Sequence, residues 1–139
     1  MSKSTISEIK SNVEDINQMV LAGKSLEAFE KYYGENVTMV QVSGETFQGK
    51  DACRVMEENW GKNVTEFRGA KCLNYTIAES QAPYVDVTVI AVWYLDFSTN
   101  DYTFTGTQMS VTNWKDGKVY YEMFFSPVEH VMLEEAPKK

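Results

Sequence analysis

The chain has 139 residues, 43% of them hydrophobic and 13% aromatic, which suits one packed domain and leaves too little for two. A net charge of −7, with thirteen Lys and Arg scattered along the chain, argues against a nucleic-acid partner. Cys53 and Cys72 form no CxxC pair, and the single histidine, His130, leaves too few ligands for a zinc site or a histidine-based triad.

Ile6, Ile9, Val13, Ile16 and Val20 recur at helical spacing, with Thr5 and Glu8 as a capping box and Gly23 as the stop. A second helix is predicted from Ser25 to Tyr33, with Leu26, Phe29 and Tyr33 inward. A strand follows over Asn36–Ser43. Gly49-Lys50-Asp51-Ala52 opens a third helix with apolar positions Ala52, Val55, Met56 and Trp60, closed by Gly61. The rest reads as four strands: Val64–Ala78, Tyr84–Phe97, Tyr102–Trp114 and Val119–Ser126. The last two flank the tight turn Lys115-Asp116-Gly117-Lys118. One domain over residues 1–133 and a mobile polar tail over 134–139 complete the expected organisation.

Helices followed by a strand meander predict an α+β fold, with the helices on one face of the sheet. In Tyr84–Phe97, the residues Val85, Val87, Val89, Ala91, Trp93, Leu95 and Phe97 form an almost wholly apolar face. Asp86, Thr88, Ile90, Val92, Tyr94 and Asp96 form a mixed one. No apolar run follows Met1, and Val89–Leu95 is far too short to span a bilayer, so the expected address is the cytoplasm, with no membrane partner. In that compartment the two cysteines are expected as free thiols and the Asn36, Asn63 and Asn74 tripeptides as unmodified.

The segments Tyr32–Val37, Gly49–Ala52, Gly106–Trp114 and Asp116–Val119, in this order and spacing, resemble the NTF2-like superfamily, especially its SnoaL-like and ketosteroid-isomerase-like members. The resemblance covers about residues 5–130. It implies a cystatin-like cone, three helices packed on a strongly curved antiparallel sheet, whose open end admits a small apolar ligand. It also implies a homodimer through the outer sheet face. No cofactor is expected, and the sparse histidine and cysteine set argues against a metal. Steroid isomerases of this family carry a tyrosine and two aspartates where this chain has Ile16, Gln41 and Ser110. The resemblance therefore does not extend to steroid isomerisation.

Alternation from the Asp-Gly turn places Tyr120, Glu122 and Phe124 on the concave face, with Gln108, Ser110, Thr112 and Trp114 on the facing strand. Glu122 in an apolar cone is a candidate acid or base; the structural alternative is a paired or rim carboxylate. The polar residues of the facing strand suit a neutral ligand, or equally an ordinary core strand whose hydroxyls satisfy one another. Ile16, Gln41, Met56 and Trp60 complete the candidate lining, with packing in the helix–sheet core the first reading for Met56 and Trp60; Tyr32 or Tyr33 offers a phenol, or packs at the helix end with its hydroxyl at the surface. Three readings stand: a small-molecule-binding domain, an isomerase-, cyclase- or hydrolase-type enzyme using Glu122, and a non-catalytic interaction dimer.

Overall fold

A computed structural model describes residues 5–126; His130 and the expected tail over 134–139 lie outside them. Helix α1 (Ile6–Leu21) opens on the expected capping box, Thr5 Oγ1 accepting from the Glu8 amide and Glu8 Oε1 from the Thr5 amide, both at 3.1 Å. It closes in a Schellman motif. Gly23 takes φ +79°, the Lys24 amide donates to the Met19 carbonyl at 2.8 Å, and the Gly23 amide donates to that of Val20 at 3.1 Å.

Helix α2 (Ser25–Tyr32) buries Ala28, Phe29 and Tyr32 and leaves Leu26 exposed, against expectation. The chain then enters strand β1 (Tyr33–Val40) without a loop, so Tyr33 begins the strand and the predicted end at Ser43 is not reached. A short strand β2 (Thr46–Gln48), which the residue pattern does not announce, pairs antiparallel with β1.

Helix α3 (Lys50–Asn63) runs through Gly61 and presents a different stripe from the one expected. Ala52 and Val55 face solvent, whereas Lys50 and Cys53 are buried and Met56 and Glu57 half-buried. Lys50 tolerates its inward position because its ammonium donates to the Glu30 carbonyl at 2.9 Å and sits over the Phe29 ring.

Strands β3 (Val64–Glu79), β4 (Val87–Thr99), β5 (Thr103–Lys115) and β6 (Lys118–Phe125) complete one curved sheet of order β2-β1-β6-β5-β4-β3. All neighbours are antiparallel except β1 and β6, which run parallel. Asp116 and Gly117 both take positive φ, +52° and +80°, as a type I′ turn demands. The predicted strand start at Tyr84 is delayed to Val87. Asp86 is buried just before it and accepts the Asp116 amide at 2.9 Å, tying the β3–β4 loop to the β5–β6 turn.

Helices and sheet enclose a core of Ile9, Val13, Phe29, Val37, Met39, Val87, Val89, Trp114 and Val119. The opposite face of the sheet carries aligned rows. Ile90 pairs with Val111 and that with Met123; Val92 pairs with Met109 and that with Phe125. No described element covers this face, and Ile90, Tyr94 and Phe125 remain 40%, 37% and 43% accessible. Among the described residues no helix is long and apolar enough to cross a membrane.

Candidate functional site

One transverse row of inward side chains crosses all six strands: Phe47, Met39, Glu122, Thr112, Val89 and Ile77. The row places the only carboxylate of β6 among apolar neighbours, and Glu122 is 6% accessible. Tyr33, delivered by the abrupt passage from α2 into β1, donates its phenol to Glu122 Oε1 at 2.6 Å. Burial pushes the Glu122 carboxyl up to about 8; the Tyr33 hydrogen bond opposes that rise and the neighbouring charge of Glu57 adds to it. The same burial, reinforced by Glu122, holds the Tyr33 phenol well above its ordinary value.

Glu57 is the residue that sequence reasoning missed. It lies on the inward stripe of α3, four residues after the buried Cys53, and burial alone raises its carboxyl to about 7. A charged residue at i+4 from a buried cysteine was a usable signal, hidden by assigning the stripe to Ala52 and Val55. Cys53 completes the cluster. Its thiol is also pushed up, by burial first and then by Glu57 and Glu122, and lies 3.5 Å from the Phe47 carbonyl oxygen.

The remaining candidates divide. Thr112 directly opposes Glu122, but its hydroxyl accepts Trp114 Nε1–H at 3.0 Å and donates to the Val89 carbonyl at 3.5 Å. Trp114 is fully buried and packs against Tyr32, so this pair is an internally satisfied part of the core. Tyr120 is displaced from its expected place. A β-bulge sets Trp114 opposite Val119, Val119 fills the core, and Tyr120 is not among the side chains packed there. Ser110 and Phe124 face each other one row from Glu122, and Phe124, Ile16 and Met56 pack against the core.

Gln41 lies just past the end of β1, where strand alternation no longer fixes its direction, and its Nε2 is shut off from solvent with no hydrogen-bond partner among the described residues. Gln108 does not share the Glu122 row. It lines a groove of about 380 Å³ beyond the end of β6, with Val92, Thr107, Met109, Phe125 and Ser126. Trp60 stands at the other end of the sheet, edge-on to Phe97 with centroids 5.4 Å apart. Tyr32 turns its hydroxyl to Asp15 instead of the site. Among the described residues, no three His, Cys, Asp or Glu side chains are grouped to hold a metal ion.

The arrangement of three helices on this six-stranded curved sheet has counterparts among solved structures. The fold is NTF2-like. An NTF2-like protein from Cytophaga hutchinsonii superposes with a TM-score of 0.65 at 16% identity, over 89% of this chain and 100% of that one. A ketosteroid-isomerase-like protein from Catenulispora acidiphila, in complex with trimethylamine, gives 0.63 at 12% identity, over 91% and 93%. An LEH-like epoxide hydrolase of M. tuberculosis gives 0.67 at 13% identity, over 91% and 88%. No protein-family model matches the chain, and a search of curated proteins finds no relative.

Proposed function

We propose that the chain binds a small, largely apolar molecule on the concave face of its sheet, with Glu122 and Tyr33 as the polar contact. The observation that carries this reading is the buried Glu122 carboxyl, pushed up to about 8 by burial and hydrogen-bonded, among the described residues, to Tyr33 alone. An acid in such surroundings costs folding free energy that an apolar residue would not, and such groups concentrate at binding and catalytic sites. Trimethylamine in the Catenulispora acidiphila protein supports a small molecule as the occupant of this fold. Native mass spectrometry of gently purified protein should retain a small-molecule adduct. A bare polypeptide mass, with no thermal shift on adding small apolar compounds, would count against the reading.

Catalysis is the second reading, and Glu57 favours it. Burial raises one carboxyl to about 8 and another, whose charge is felt by the first, to about 7, which suits an acid and a base at neutral pH. That pairing suits isomerase, cyclase or hydrolase chemistry, the last named among the structural neighbours. Steroid isomerisation is not part of the proposal, because Ile16 offers no hydrogen bond and Gln41 takes no proton. We assign the outer sheet face to contact with a second copy of the chain. The two unpaired cysteines suit a cytoplasmic setting.

A further inference from the structure

We propose that residues 127–133, which lie outside the described residues, form a short amphipathic helix that docks in the groove beyond the end of β6. That groove, of about 380 Å³, is lined in part by Val92, Met109, Phe125 and Ser126, so the described chain ends on its wall. Val92, Met109 and Phe125 make that lining apolar, and Phe125 stays 43% accessible. The chain continues from this point as Pro127-Val128-Glu129-His130-Val131-Met132-Leu133. This surface is separate from the Glu122 row and does not depend on the ligand-binding reading.

Ser126-Pro127-Val128-Glu129 carries the residues of a helix start: serine at the N-cap, proline at the first helical position and glutamate at the third. The same grammar at Thr5 and Glu8 opens α1, where both reciprocal hydrogen bonds form. An independent observation falls on the same serine. Ser126 Oγ is shut off from solvent with no hydrogen-bond partner among the described residues. An N-cap oxygen accepts the amide two or three residues on, here that of Val128 or Glu129, which supplies the missing partner. Pro127 has no N–H to carry the ladder past the Met109–Phe125 pair, and it favours an extended Ser126, as an N-cap requires. On a helix, Val128, Val131 and Met132 share one face and His130 takes the opposite one. So short a helix is marginal in water on its own, so it needs that face buried. The groove beside Ser126 is an apolar surface within its length of about 10 Å. The row of Ile90, Val111 and Met123 is left to the second copy of the chain.

Amide hydrogen exchange and methyl NMR on the full chain test this. The amides from His130 to Leu133 are the first with an intrahelical carbonyl to bond, so they should exchange at least roughly tenfold more slowly than in a free peptide of that sequence. The Val128 and Val131 methyls should show contacts to Val92 or Met109. Val131→Asp should abolish the protection, and Ser126→Ala should lower it roughly fivefold, as loss of a cap implies. His130→Asp, on the opposite face, should leave it in place. Amides that exchange at the peptide rate would overturn the helix. Protection that survives Val131→Asp, or methyls that meet neither Val92 nor Met109, would overturn the docking. Contacts found only between differently labelled copies in a mixed sample would give the groove to a second copy and overturn its assignment to the same chain.

Discussion

Glu122 and Glu57 set how stability should respond to pH. The Glu122 carboxyl rises from 4.5 to about 8 on folding and that of Glu57 from 4.5 to about 7. Between these limits the folded chain binds more protons than the unfolded one. Stability from these two groups is therefore greatest below about pH 4.5 and declines to a plateau above about pH 8, at roughly 1.4 kcal/mol per pKa unit. Thermal unfolding followed from pH 5 to 9 should show that decline, and Glu122→Gln should flatten it while stabilising the protein most at the alkaline end. An unchanged slope in the variant would remove Glu122 as its source. Tyr33→Phe should push the Glu122 carboxyl higher still, because the phenol's hydrogen bond favours the ionised form. It should also cost about 1 kcal/mol of stability. Carbon NMR of the glutamate carboxyls reads the first effect directly. If the enzyme reading holds, Glu122→Gln should lower turnover by about a hundredfold with binding nearly intact.

The elements carry two lessons about local signals. Helix α1 obeys its caps at both ends, and Gly23 meets nothing within 4 Å of an added Cβ. Gly23→Ala should therefore cost about 1 kcal/mol purely through its positive φ, with no change at the site. A melting temperature equal to wild type would show that the Schellman closure tolerates a side chain. Helix α3 shows the opposite case. Its apolar residues point outward at Ala52 and Val55 because the inward positions are held by Cys53, by Lys50 laid over Phe29, and by Glu57 at the site. Binary pattern fails there because the helix turns Cys53 and Glu57, and not Ala52 and Val55, toward the sheet.

At the scale of the molecule, the outer sheet face is the main surface that no described element covers. Ile90, Val92, Met109, Val111, Met123 and Phe125 lie in aligned rows on it, a pattern that monomers seldom leave wet. The chain should sediment as a homodimer at micromolar concentration. Ile90→Lys, at a position already 40% accessible, should convert it to a monomer without loss of fold. Wild-type protein that sediments as a monomer would refute this assignment of the face.

By itself the sequence determined what near neighbours in the chain decide. That covers the capping box at Thr5, the stop at Gly23, the Asp-Gly hairpin, the two faces of β4, and through their order the α+β cone. These rest on short-range geometry, so residue type and spacing are enough. Glu122 was legible as an inward carboxylate for the same reason, by counting from the turn. Tertiary structure decided the rest. The bulge at Val119 turned Tyr120 away, Trp114 and Thr112 satisfied each other, and Gln108 went to a groove beyond β6. Tyr33 and Glu122 meet across a separation of 89 residues, and Glu57 joins them only because α3 packs on its less apolar side. Which face of a helix is buried, and which phenol finds a buried acid, depend on what the rest of the chain brings opposite. No local window of residues contains that information.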